Sequence, residues 1–125
     1  MPASSSANRQ RSEMRGHRAE SAALILLRLK GYKLLARRFK SHHGEIDLIM
    51  RKGQTTAFIE VKARSTHDVA TSSVTPTQAK RIGAAAGLWM TRDANAAAGF
   101  CRFDIVAVNA YLWPTHIPNA FSGDF

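Results

Sequence analysis

Charge inside strands that are otherwise apolar restricts this chain more than any other feature. Gly44-Glu45-Ile46-Asp47-Leu48-Ile49 is followed, after Arg51-Lys52-Gly53-Gln54, by Phe58-Ile59-Glu60-Val61-Lys62. Strand side chains alternate between faces, so Glu45 and Asp47 should share one face, with Ile46 and Leu48 on the other. Glu60 and Lys62 should likewise share a face opposite Ile59 and Val61. The glycine-containing turn predicts an antiparallel hairpin. Such a hairpin brings three carboxylates and one ammonium into a small volume with apolar flanks, a costly arrangement unless the charges are paired or hold a metal.

Two readings follow from the residues alone. In one, Asp47 and Glu60 offer oxygen ligands to a hard cation such as Mg²⁺ or Mn²⁺, with the Ile59 or Val61 carbonyl as a further ligand. Lys62, on the same face as Glu60, would then orient or deprotonate a water and offset phosphate charge. Those are the parts phosphodiester hydrolysis needs. In the other, the acids and Lys62 form cross-strand salt bridges on a solvated face, each weak. Spacing leaves both open.

The overall charge favours a polyanionic partner. Lys and Arg number 18 against 9 Asp and Glu, a net charge of +9, which suits nucleic acid. At 125 residues the expectation is a single domain over 15–125, preceded by a Ser-rich, basic, disordered arm over 1–14. One cysteine, Cys101, excludes an internal disulfide framework and fits a reducing cytoplasm. Its neighbours Phe100 and Phe103 suggest a buried structural thiol. No apolar run approaches the roughly 20 residues of a membrane span.

Periodicity predicts a helix from about Gly16 to Lys30, ending at a left-handed cap on Gly31. Glu20 lies on or at the edge of its apolar face. Its carboxylate either pairs with Arg15 or His17 or points at the charged hairpin. Strands are expected over 32–40, 45–50 and 56–62, with Leu35, Arg37 and Phe39 alternating against Leu34, Ala36 and Arg38. Residues 63–74 lack periodicity and suggest a mobile loop. Thr75-Pro76-Thr77-Gln78 predicts a helix start with a capping box, and the helix runs to about Thr91. A connection that can hold a short helical turn leads to a strand over 102–109. The aromatic tail from Ala110 is apolar enough to pack back, with no regular structure predicted. Three strands in succession should form an antiparallel meander, and the helical crossover should add the last strand in parallel. The fold class is α/β, a mixed sheet flanked by helices.

Gly44–Ile49, Phe58-Ile59-Glu60-Val61-Lys62-Ala63-Arg64 and Arg102-Phe103-Asp104-Ile105-Val106 together resemble the YraN family of small bacterial proteins, with Asn119-Ala120-Phe121 also matching. The likeness spans about Gly16 to Phe121. That family is similar in turn to the PD-(D/E)XK superfamily of restriction-endonuclease-like nucleases and Holliday-junction resolvases. The resemblance implies an αβββαβ core, a divalent metal and phosphodiester cleavage. By position, Asp47 and Glu60 match the metal-binding acids, Lys62 the lysine, and Glu20 a helical glutamate that would assist catalysis and metal binding. Glu45 would stand behind them as a rim acid. Ile46 departs from the proline of the superfamily's name. Relatives carry a basic residue then glutamine early in the second helix, where this chain has Gln78-Ala79. Nucleic-acid contact would then fall to Gln78, Lys80, Arg81 and Arg64.

Less is expected of other residues. Adjacent His42 and His43 point apart, which suits a turn or a phosphate contact better than a shared metal. Asp104 should partner an arginine, and Trp89 and Trp113 should be core rather than base-stacking platforms. Two functions remain: a cytoplasmic Mg²⁺- or Mn²⁺-dependent endonuclease on structured or branched DNA, or a non-catalytic nucleic-acid-binding module. A third, docking on an acidic protein, has least support. A dimer is compatible with the sequence, a membrane protein is not.

Overall fold

The computed structural model describes the backbone of residues 2–63 and 67–123 and the side chains of 16–63 and 70–123. The elements in order are α1 (Pro2–Leu29), β1 (Lys33–Lys40), β2 (Glu45–Lys52), β3 (Thr55–Lys62), α2 (His67–Ser72), α3 (Pro76–Arg92), α4 (Ala94–Ala98), β4 (Phe100–Val108) and β5 (Pro114–Ile117). The sheet runs β1-β2-β3-β4-β5. The first three strands form an antiparallel meander, β4 joins β3 in parallel, and β5 returns antiparallel to β4. This is the predicted mixed sheet and αβββαβ order, a restriction-endonuclease-like core.

Alternation along β3 builds a core on each face. Ala57 and Ile59 join Leu48, Met50, Val106 and Val108 beneath Ala19, Ala23, Leu24 and Leu27 of α1. Phe58 faces the other way, into a cluster with Ile46, Ile49, Phe103 and the α3 residues Ile82, Ala85 and Ala86. Gly31 takes φ +94° after α1, as the cap required, and the Tyr32 N–H closes the turn on the Leu27 carbonyl at 2.9 Å.

Several expectations are corrected. α1 begins upstream of Gly16; the disordered arm expected over 1–14 lies outside the described side chains. The segment 63–74 holds α2, anchored by Ala70, which is buried against Ile105, Ala107 and Ile117. The tail contributes β5, and Phe121 packs on Phe103 with ring centroids 5.5 Å apart. In β1 the alternation fails twice: the register shifts between Leu34 and Ala36, and Arg38 takes φ +52°. Leu35, Ala36 and Phe39 therefore pack in one cluster. Ile46, opposite Phe39, goes with that cluster and not with Leu48. Trp89 is partly buried, edge-on to Phe39 at 5.2 Å, but Trp113 is 70% exposed and is not core. No described helix is long and apolar enough to cross a membrane.

Candidate functional site

The β2–β3 ladder runs from Lys52↔Thr55 to Leu48↔Ile59 and stops. Outside it, β1–β2 pairing continues to Lys40↔Glu45 and β3–β4 pairing to Lys62↔Ala107. The two central strands therefore part at Asp47 and Glu60. A side chain replaces the missing backbone acceptor: the Val61 N–H donates to Asp47 Oδ2 at 2.8 Å. This turns Asp47 into the opening, where Glu60 is buried.

The consequence is electrostatic. Burial pushes the Glu60 carboxyl up to about 9, and hydrogen bonding with Asp47 and repulsion from its charge add to the shift. Lys62 pulls the other way, and Glu45 adds repulsion from the rim. At neutral pH the pair holds a proton on Glu60.

α3 reaches into the same opening. Thr75 caps it, its Oγ1 accepting from the Gln78 N–H at 3.1 Å. Only half of the predicted capping box is used, because the Gln78 side chain turns to the site. Its Oε1 accepts from Lys62 Nζ at 3.3 Å and its Nε2 donates to Glu60 Oε2 at 3.3 Å. One amide thus ties base and acid together, an arrangement that capping logic alone did not show.

A cavity of about 980 Å³ opens over the acid pair and Gln78, with Lys62 behind its lining. Asp47, Glu60 and Gln78 lie on its wall with a cationic rim of Lys40, Lys80 and Arg81, and His42 and His43 contribute from the turn. Gly44 makes the wall possible: a Cβ there would lie 2.6 Å from the Arg81 carbonyl oxygen. The turn itself is tied by Ser41, whose Oγ accepts from the His43 and Gly44 N–H groups at 3.2 Å each. Lys40 escaped notice in the sequence; its position directly before this turn was the available signal.

The remaining expected members lie elsewhere. Glu20 is held by Arg38 Nε at 3.1 Å and approached by Arg37 Nη2 at 3.8 Å, partners on β1 rather than the charged hairpin; Arg15 lies outside the described side chains. Arg64 lies outside the described residues. Among the described residues no three His, Cys, Asp or Glu side chains converge as metal ligands. Two facing carboxyl groups that repel when both are ionised nonetheless fit a hard divalent cation, which accepts two carboxylates and completes its shell with carbonyl, water or substrate oxygens.

Other buried charge is neutralised internally. Asp104 takes Arg102 Nε and Nη2 at 2.8 and 2.7 Å, His116 Nε2 at 2.8 Å and the Asn119 N–H at 2.9 Å. Burial alone would raise its pKa; the bonds from His116, Arg102 and Asn119 outweigh that and hold it below the usual carboxylate range. The expected arginine partner is present. Lys30 Nζ lies 2.6 Å from His116 Nδ1, and since an ammonium only donates, Nε2 carries the proton given to Asp104. Cys101 lies against Met90 Sδ at 3.4 Å, and burial pushes its thiol up, as a structural thiol requires.

Comparison with known proteins finds relatives over nearly the whole chain. A family model described as "Uncharacterised protein family UPF0102" matches residues 19–108. A UPF0102 protein of Methylorubrum extorquens is 48% identical over 120 residues, covering 96% of this chain and 94% of its own. One from Mesorhizobium japonicum is 47% identical over 118 residues, 94% of each chain. One from a Chelativorans species is 47% identical over 122 residues, 98% of each.

Proposed function

Because the chain belongs to the uncharacterised protein family UPF0102, the YraN family, whose description assigns no reaction, we propose a function from the site itself: a divalent-cation-dependent endonuclease acting on structured or branched DNA in the cytoplasm. The observation that carries this is the Asp47–Glu60 pair, two carboxyl groups crowded together where the sheet parts, with the Lys62 ammonium beside them. Asp47 and Glu60 would hold Mg²⁺ or Mn²⁺, which when bound supplies Lewis acidity toward a phosphodiester.

The protein's residues do the rest. Gln78 fixes the Lys62 ammonium beside Glu60, where it can orient a water and meet charge developing on phosphate. Lys40, Lys80 and Arg81 line the mouth at positions suited to flanking phosphates, a contribution that falls steeply with salt.

The test is cleavage of labelled linear, flapped and four-way-junction DNA with Mg²⁺ or Mn²⁺. Lys62→Ala should lower the rate by about 10²–10³ while leaving DNA binding intact. Glu60→Ala should lower both rate and cation affinity. A wild type that binds all of these substrates and cuts none would make the protein a nucleic-acid-binding module on a nuclease fold. Equal cutting by wild type and Lys62→Ala would remove Lys62 from the mechanism.

A further inference from the structure

The end of α1 carries a second apolar stripe that the sheet does not cover. Leu24 and Leu27 are buried beneath it, whereas Ile25 is 61% and Leu29 82% exposed. Beside this stripe stands the turn between β4 and β5. Asn109 Oδ1 accepts from the Tyr111 and Trp113 N–H groups at 2.9 and 3.0 Å. The Asn109 N–H donates to the Trp113 carbonyl at 3.1 Å and its carbonyl accepts from the Leu112 N–H at 3.0 Å. This clamp holds Leu112 at φ +61° and presents Trp113 to solvent. Between helix and turn lies a groove of about 610 Å³, lined by Ile25, Leu26, Leu29, Leu112 and Trp113, with His17 and Arg18 at one end.

We propose that this groove binds an acidic, amphipathic peptide segment of another protein. Apolar anchors would sit between Leu29 and Trp113, and carboxylates would lie against Arg18 and His17. Charge complementarity selects this occupant. The charged lining residues are cationic or His. The described acids are occupied elsewhere: Glu20 on Arg38, Asp93 on Arg51, Asp104 on Arg102, and Glu45, Asp47 and Glu60 at the site. A second copy would bring another chain of net charge +9 against a groove whose charged lining is cationic or His. Single-stranded nucleic acid would need cations tracking a backbone beside stacking faces; here Ile25, Leu26, Leu29 and Leu112 make the lining mostly aliphatic beside Trp113, and the cations sit at one end. Helix-in-groove recognition uses such a site, with anchors at i, i+3 or i+4, and i+7.

The experiment pans a displayed library of 16-residue peptides against the full chain, then measures binding of the enriched synthetic peptide by calorimetry. Enriched sequences should combine Asp and Glu with apolar residues at helical spacing. Leu29→Asp and Trp113→Ala, both at exposed positions and checked for native circular dichroism, should each weaken binding by about tenfold or more. Added salt should weaken it too, and junction binding by Lys80 and Arg81 should be unaffected. No enrichment, or enrichment of neutral or basic sequences, would overturn the proposal. So would a concentration-dependent dimer abolished by Leu29→Asp, which assigns the groove to a second copy. Loss of oligonucleotide binding in Trp113→Ala would assign it to nucleic acid.

Discussion

Glu60 and Asp104 lie on neighbouring parallel strands, one register step apart, and both are buried. Asp104 faces α1 and has an arginine, a histidine and a backbone N–H around its carboxylate. Glu60 faces α3, has one neutral amide at 3.3 Å and a second carboxyl against it. The protein spends several groups to keep Asp104 ionised and leaves Glu60 protonated. A buried acid with its full complement of donors holds the fold together; one crowded by another acid is prepared for a cation from outside.

The largest effect expected from that contrast is on stability. Asp104→Ala strands a buried histidine side chain and a partly buried arginine, and should cost about 3–5 kcal/mol, measured by urea denaturation. A loss under about 1 kcal/mol would mean that the cluster is relaxed in solution.

The pH dependence separates the two acids by sign. Glu60 has a folded value near 9 against 4.5 for an ordinary glutamate. Its contribution is complete below about 4.5 and is lost as pH rises through 9. Asp104 is held below its ordinary 3.8, so its contribution is present above that value and lost as pH falls through the lower, folded one. Glu60→Gln should flatten only the alkaline limb of a plot of midpoint denaturant concentration against pH. An unchanged alkaline limb would place the protonation elsewhere.

Cation addition should act on one acid alone. At about one hundred times the dissociation constant, Mg²⁺ or Mn²⁺ should stabilise the protein by about 2.7 kcal/mol and release a proton near pH 8, read from calorimetry in buffers of different ionisation enthalpy. Asp47→Asn should abolish both and leave the metal-free protein as stable as before or more so. A clear loss of stability in that metal-free variant would favour the salt-bridge reading of the hairpin. Smallest of all, Gln78→Ala should cost about 1 kcal/mol, since it removes two long bonds but keeps the N–H that caps on Thr75. An intact thermal midpoint with reduced cleavage would mark Gln78 as a positioning residue.

How much of this was legible in the sequence follows the range of the forces involved. Asp47, Glu60 and Lys62 could be brought together because strand alternation and a tight turn act over a few residues. The cap on Gly31 and the Thr75 start were local in the same way. Glu20 was misplaced because its partner depends on Arg38 at φ +52°, a backbone state no pattern of apolar residues announces. The same irregularity moved Ile46 to the other core. Trp113 looked like core because apolar content is counted along the chain, whereas the Asn109 clamp that turns it outward is a matter of hydrogen-bond geometry. Gln78 suited a capping box and the site equally well; Lys62 and Glu60 decided between them, and they lie on another element.

The Asp104 cluster also fixes where this domain can be cut. His116 and the Asn119 N–H come from the segment after β4, and the Ala120 N–H adds a bond to the Phe103 carbonyl at 2.8 Å. A fragment ending at Val108 would contain every strand that frames the acid pair. It would keep Asp104 with Arg102 and lose the two other donors, together with the strand that covers the edge of β4. The shortest chain that folds should therefore extend past Asn119, even though no described residue beyond β4 lines the site.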